Sequence, residues 1–247
     1  MLDGKVAIVT GASRGIGRAV ALSFAENGAR IVLNGTNDRL LRDLRDQIRN
    51  AGGEAVAVAG DVSDSKTAEK AVLVARDAFE KIDILVNNAG INTRSSTLDM
   101  SIEDWQRVLD VNLNGTLYFC RAVLPMMIAQ NGGKVVNVSS TTAKTAHKNA
   151  APSYGASKAG VNYLTMHLAH EMAKHNIHVN AVCPGPVETD MSEQWSADYR
   201  GAVRRTVPLG RLGTSKDVAD VVLFLASGMS DFVTGETINA NGGTYMN

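Results

Sequence analysis

Cysteine, histidine clusters, one-sided charge and long hydrophobic runs are all scarce in this chain, and each shortage excludes something. Two cysteines, Cys120 and Cys183, in 247 residues cannot make a disulfide framework and suit a reducing compartment. Buried, inert thiols are the expectation for both. His167 and His170 can share a helix face, but no third ligand accompanies them, so no metal site is expected. The charges balance at 25 basic and 25 acidic residues, which lacks the footprint of a nucleic-acid or anionic-membrane binder. Arg39, Arg42, Arg45 and Arg49 interleave with Asp38, Asp43 and Asp46, as on a solvated helix face. The early apolar run Val6 to Val9 is interrupted at Gly11, too short for a membrane span or a signal-peptide core, and a soluble cytoplasmic protein is expected. Five prolines, expected mostly at turns and helix ends, and no Pro- or Ser-rich linker, low-complexity tract or strong repeat favour one domain, 1–247.

What is present is alternation. Short β-branched runs recur at Lys5–Thr10, Arg30–Asn34, Ala55–Ala59, Ile84–Asn87, Lys134–Val138, His178–Val182 and Glu236–Ala240. Such two-sided apolar runs read as central strands of a parallel sheet. Between them lie segments with helical spacing, such as Val20 with Phe24, and Val72 and Ala75 with Phe79. The alternation predicts an α/β, doubly wound, Rossmann-like sheet with right-handed crossovers. The least regular stretch, about 184–213, is punctuated by Pro184, Gly185, Pro186, Pro208, Gly210 and Gly213 and carries Trp195 and Tyr199. It is expected to be either a lid over an apolar pocket, centred on 186–213, or a surface helix with aromatic anchors.

The first strand leads into Thr10-Gly11-Ala12-Ser13-Arg14-Gly15-Ile16-Gly17 and then a helix pattern. Gly11 permits a tight turn, Gly15 allows close approach of a pyrophosphate, and Gly17 allows helix and strand to pack. Free N–H groups at the helix start suit phosphates. The spacing Gly-x-x-x-Gly-x-Gly departs from the commonest dinucleotide fingerprint. The second strand ends Asn34-Gly35-Thr36 with no carboxylate to meet a ribose 2′-hydroxyl, while Arg14 is placed to meet a phosphate. That combination favours NADP(H) over NAD(H).

Tyr154 and Lys158 stand four apart just after a helix-start signal at Pro152-Ser153, and the preceding strand ends in Ser139-Ser140. In a parallel sheet these groups gather at the edge that carries the glycine turn.

With these motifs the sequence resembles the short-chain dehydrogenase/reductase (SDR) family over essentially its whole length. The resemblance rests on the glycine turn, Asp61-Val62, Asn87-Asn88-Ala89-Gly90, Asn112, Ser140, Tyr154-x-x-x-Lys158 and Pro184-Gly185, in this order. It implies a seven-stranded parallel sheet, a homotetramer, and hydride transfer between a nicotinamide and a carbonyl or alcohol carbon. Tyr154 would be the general acid, its pKa lowered by Lys158. Lys158 would also hold the nicotinamide ribose, Ser140 would orient the substrate oxygen, and Asn112 would hold a proton-resupplying water. Asp61 would meet the adenine amino group, Asn88-Ala89-Gly90 would lie beside the adenosine ribose, and Val187 and Thr189 would reach the carboxamide. Asn87 would be structural. Small residues Ala156, Ala159 and Gly160 would let a second helix approach in the tetramer.

Within the family the resemblance is nearest to 3-oxoacyl-[acyl-carrier-protein] reductases, through Pro208-Leu209-Gly210-Arg211-Leu212-Gly213 and Thr234-Gly235-Glu236 to Asn241-Gly242-Gly243. Asn131 and His175 stand where those reductases present arginines to the acidic carrier protein, and one extra residue separates Ser140 from Tyr154 near His147 and Lys148. A reductase of a small ketone, sugar or polyol is therefore the alternative, and a non-catalytic cofactor-binding regulator is the reading of another class.

Overall fold

Seven strands pair in parallel in the order β3-β2-β1-β4-β5-β6-β9: β1 (Val6–Val9), β2 (Arg30–Gly35), β3 (Ala55–Ala59), β4 (Ile84–Asn87), β5 (Gly133–Val138), β6 (Ile177–Pro184) and β9 (Thr237–Ala240). The computed structural model describes residues 1–147, 150–189 and 195–246. The seven runs expected from the sequence are thus all strands, within a residue or two at each end. A two-stranded pair, β7 (Val187–Glu188) with β8 (Gly213–Thr214), was not legible, because two residues show no periodicity.

The strands alternate sides, as the period of two requires. Ala7, Val9, Ile31 and Leu33 pack under α1 (Gly15–Glu26), α2 (Asp38–Asn50) and, from near the C-terminus, the helix Ser215–Ala226. Val6, Ile8, Val32 and Val58 pack under α3 (Ser65–Phe79) and two later helices on the opposite face. The first of these is built in three parts: α4 (Ile102–Leu109), a π-helical turn Asp110–Asn114, and α5 (Gly115–Ala129). The second is α6 (Pro152–Met172). Then follow α7 (Ala197–Thr206) and α8 (Ser215–Ala226).

Pro125 lies inside α5, against the expectation that prolines mark turns and ends. It removes one N–H from that helix. On α2 the interleaved charges do compensate each other: Arg42 pairs with Asp38, Arg45 with Asp46, and Arg49 turns to the Ala55 carbonyl at 2.9 Å.

Strand order reverses between β1 and β4, which opens a crevice beyond their C-terminal ends. Every residue singled out for chemistry in the sequence, save Asn131 and His175, belongs to a segment that reaches that edge. No helix among the described residues is long and apolar enough to cross a membrane.

Candidate active site

Thr10, at the end of β1, binds the two sides of the crevice together. Its Oγ1 accepts the amides of Asn88 at 3.0 Å and Ala89 at 3.1 Å. In return Asn88 Nδ2 donates to the carbonyls of Thr10 at 3.0 Å and Gly11 at 3.2 Å. Asn88 is therefore spent on holding the glycine turn; Asn87, as expected, is structural and donates to Asn137 at 2.9 Å. Gly17 packs so tightly that a Cβ there would sit 2.3 Å from the Gly11 carbonyl oxygen. Gly15 is the opposite case. Its φ of +54° favours glycine, and the nearest atoms across from it belong to Thr189, 3.8 Å from where a Cβ would be. This open notch leads onto α1, whose first turn carries no acid, with Arg14 extended and exposed at the N-cap and Ser13 and Ile16 half-buried on either side. The notch fits a pyrophosphate.

At the adenosine end the structure divides the expected residues. Asn34 is fully buried, with Nδ2 donating to the carbonyls of Val58 at 3.1 Å and Gly60 at 3.2 Å. Its side-chain nitrogen ties β2 to the Val58 and Gly60 carbonyls, while Oδ1 is buried without a hydrogen-bond partner in the protein. Thr36 is exposed, just before the α2 N-cap Asn37. No carboxylate occurs before Asp38, which is already paired with Arg42. Asp61 accepts from the Ser63 amide at 2.9 Å and the Ser63 hydroxyl at 2.8 Å, and Arg107 of α4 binds its other oxygen. Burial pushes this carboxyl up, but those hydrogen bonds outweigh it and hold Asp61 below the ordinary aspartate value. Asp61 is not the cap of α3, a role that Asp64 fills. Val62, buried beside it, packs against the start of α5 at Gly115.

The reacting end is formed where β5 stops and α6 starts. Ala151 caps α6 and Pro152 opens it, placing Tyr154 and Lys158 one turn apart on its first two turns. The Ser140 side chain lies beside the Tyr154 phenol, where it acts to lower the phenol's pKa. Ser140 Oγ also accepts from the Thr142 amide at 3.1 Å and the Thr142 hydroxyl at 2.9 Å, which fixes the serine at the head of a short 3₁₀ turn. Lys158 is 4% exposed; its Nζ donates to the Val138 carbonyl at 2.7 Å and lies 5.9 Å from the centre of the Tyr154 ring. Burial lowers the lysine to about 8. Burial likewise raises the phenol of Tyr154, which the neighbouring Ser140 only partly offsets. The expectation that Lys158 lowers Tyr154 is thus not met in the protein alone. Both groups are desolvated together, and the ammonium is turned to a backbone carbonyl.

Asn112 sits in the π-helical turn, fully buried. Its Oδ1 accepts the Ile91 amide at 2.8 Å, and its Nδ2 donates to the Ile91 carbonyl at 3.0 Å and to Ser157 Oγ at 3.0 Å. Ser157 in turn donates to the Tyr154 carbonyl at 2.8 Å. Asn112 therefore joins the loop after β4 to the helix that bears Tyr154 and Lys158. Gly90 lies against both, a Cβ there falling 3.3 Å from Asn112 Oδ1 and 3.4 Å from Lys158 Nζ.

Two contributors, Asn92 and Arg107, carried no sequence signal, and Thr10 entered only as the first residue of the glycine turn. Thr10 and Asn92 are common polar residues whose role depends on chain folding; Asn92 Oδ1 accepts the Ala151 amide at 3.2 Å. Arg107 read as an ordinary helix-surface cation. Pro184 ends β6, Gly185 donates to the Ala240 carbonyl at 3.1 Å, and Val187 is buried in β7. In the expected lid, Trp195 and Tyr199 meet edge to face at 5.3 Å between ring centres. Residues 190–194 of that segment, and Lys148, lie outside the described residues; His147 is exposed. Asn131 and His175 precede β5 and β6, at the sheet edge opposite Tyr154. Both cysteines are buried, and burial raises Cys120 to about 12. Among the described residues no group of His, Cys, Asp and Glu could hold a metal ion.

A family model described as Enoyl-(Acyl carrier protein) reductase matches residues 11–245. A 3-oxoacyl-[acyl-carrier-protein] reductase of Aquifex aeolicus (strain VF5) is 40% identical over 245 residues, covering 99% of this chain and 98% of the relative. That of Escherichia coli (strain K12) is 37% identical over 244 residues, with the same coverage. Among solved structures, a 3-oxoacyl-[acyl-carrier protein] reductase from Brucella melitensis with bound NAD superposes with a TM-score of 0.92 at 36% identity, covering 100% of this chain and 94% of that one. A putative gluconate dehydrogenase from Agrobacterium tumefaciens gives 0.94 at 36%, covering 98% and 96%.

Proposed function

Because the chain belongs to the short-chain dehydrogenase/reductase family, whose members interconvert CH–OH and keto groups with NAD(P)(H), we propose that it reduces a 3-oxoacyl thioester using NADPH. The observation that carries the chemistry is the juxtaposition of Ser140 and Tyr154 with Lys158 buried beside them, at the edge that holds the glycine turn. The substrate class rests on full-length likeness to proteins of that name.

The residues fit the cofactor. The notch between Gly15 and Thr189 would take the pyrophosphate, with Ser13, Arg14, Ile16 and the first amides of α1 around it. Gly11 and Gly17 shape that turn. Asp61 and Val62 would meet the adenine, Ala89 and Gly90 the adenosine ribose, and Pro184, Gly185, Val187 and Thr189 the nicotinamide end. Bound nicotinamide supplies the hydride. Tyr154 gives its phenolic proton to the substrate oxygen as charge develops there, and Ser140 donates a hydrogen bond to the same oxygen. Lys158 presents positive charge close to the phenol and would hold the nicotinamide ribose. Asn112 keeps the loop after β4 in register with α6 and would hold the water through which Lys158 regains a proton. The absence of a carboxylate at 34–37 and the exposed Arg14 support NADPH, with Thr36 open beside the 2′ position.

One domain with a lid at 186–213 and assembly as a homotetramer complete this reading. Ala156 and Ala159 are exposed on α6 beside Tyr163 and Met166, a face suited to a second copy. Gly160 is not part of that face, since Leu113 of the same chain fills the space, 3.0 Å from a Cβ. A sugar or polyol substrate is the second reading. It is favoured by the uncharged Asn131 at a carrier-docking position and by the likeness to a putative gluconate dehydrogenase.

Tyr154→Phe, assayed with β-ketoacyl thioesters, simple ketones and sugar alcohols, tests the proposal. Turnover should fall by a factor of about 10³ or more while NADPH binding, read by fluorescence, persists. Undiminished turnover in that variant would sink the mechanism.

A further inference from the structure

Arg107 makes the one ion pair recorded between α4 and the turn after β3. One guanidinium nitrogen binds Asp61 Oδ2, and another donates to Ser63 Oγ at 2.7 Å. Ser63 itself donates twice to Asp61 Oδ1. The three side chains therefore form a closed polar cluster drawn from positions 44 and 46 residues apart in sequence. Val62, next to Asp61 in sequence, and Val111 are both buried in the same apolar layer. Val111 follows Arg107 by four residues, across the junction of α4 and the π-helical turn.

The cluster is costly to explain as a support of the fold. The side chains of Arg107 and Asp61 are 49% and 33% exposed, and ion pairs that open to water contribute little stability. A planar base laid against the cluster would exclude that water, and the pair would then interact far more strongly. Asp61 Oδ2, with one lone pair on Arg107, keeps another for an exocyclic amine. Fixing the carboxylate in advance also removes the ordering cost when the base arrives.

We infer that Arg107 is a positioning residue for the adenine end of the cofactor site, holding the Asp61 carboxylate in place to receive the adenine amino group. This rests on the reading of Asp61 as an adenine contact. Arg107 itself is assigned no part in the hydride or proton steps, so its influence falls on cofactor affinity and leaves kcat at saturating cofactor aside.

The test uses the full chain with Arg107→Gln, Arg107→Lys, Asp61→Ala and the Arg107→Gln/Asp61→Ala pair. NADPH affinity is read by fluorescence titration, and turnover is read with reduced nicotinamide mononucleotide, which has no adenosine. Each single loss should raise the Kd for NADPH about tenfold, and the double variant should be no weaker than about tenfold, because both remove one interaction. Arg107→Lys should recover part of the loss, since one of two hydrogen bonds can be remade. Turnover of Arg107→Gln with the mononucleotide should match the parent, which a general disturbance of the fold would not allow. If Asp61→Ala binds NADPH as the parent does, the reading of Asp61 is wrong. If Asp61→Ala weakens binding but Arg107→Gln does not, or if the two losses multiply to about a hundredfold, the inference about Arg107 is overturned.

Discussion

The ammonium of Lys158 donates to the carbonyl of Val138 at 2.7 Å, inside the protein and two residues short of Ser140. Lys158 is thereby fastened to the end of the strand that leads to Ser140. This contact holds a buried cation against a neutral dipole, and no carboxylate ion pair is recorded for it among the described residues.

That arrangement has a measurable cost. Lys158 ionises at about 8 in the folded protein against 10.5 for an ordinary lysine. Between those values the unfolded chain binds a proton that the folded chain has released, so this group makes stability rise with pH across that window. Below about pH 8 the buried charge is retained at full cost. Lys158→Met, inactive but isosteric in its stem, should therefore be more stable than the parent at pH 7 and lose that advantage by about pH 10. Denaturant midpoints of both proteins at the two pH values check this; a difference that does not change with pH would contradict it.

Asn112 is a second target. Its amide satisfies the Ile91 amide, the Ile91 carbonyl and Ser157 Oγ in a buried setting. Asn112→Ala leaves those groups unpaired, and a buried unmet hydrogen-bonding group costs about 1–3 kcal/mol. A destabilisation of about 2 kcal/mol or more by urea unfolding is expected, together with lower turnover because α6 loses its tie to the loop after β4.

The thiols should be silent. Cys120 and Cys183 are fully buried, and burial raises both above the ordinary thiol value. An aromatic disulfide reagent at pH 8 should release essentially no chromophore from the native protein, and the full complement of two only after unfolding. Rapid reaction of either cysteine in the native state would refute the packing described for β6 or α5.

Cofactor choice follows from the end of β2. With Thr36 exposed and no acid at 34–37, kcat/KM should be higher with NADPH than with NADH. Thr36→Asp places a carboxylate beside the 2′-phosphate and should lower kcat/KM for NADPH about tenfold, roughly 1.4 kcal/mol, with little effect on NADH. A parent enzyme that prefers NADH would overturn the reading of Arg14 and Thr36.

The sheet was legible because parallel strands are buried on both faces, so runs such as Ile84 to Asn87 stand out as apolar blocks between amphipathic segments. Tyr154, Lys158 and Ser140 were legible as a set because a parallel sheet sends strand ends and helix starts to one edge. What escaped was work done by ordinary residues at a distance. Asn34 looks like a ribose contact from its place at a strand end, yet its amide nitrogen is consumed by Val58 and Gly60. Gly160 looks like a helix-contact residue, yet Leu113 occupies its space. Arg107, Thr10 and Asn92 gain their roles only from partners between 44 and 79 residues away. The phenol of Tyr154 is raised, not lowered, because spacing says nothing about how dry a site is.

The π-helical turn at Asp110–Asn114 acts as a phase-setter between the two ends of the molecule's crevice. Each residue of an α-helix advances the next by about 100°, and a π-turn accommodates one residue more than the α-helical period does. Arg107 upstream, Val111 and Asn112 within the turn, and Thr116 downstream are therefore aimed by a deliberate miscount. Removing a single residue here would restore a regular helix and swing the upstream side chains by about a quarter of a turn, so that a helix improved in regularity would serve one end of the crevice or the other, but not both.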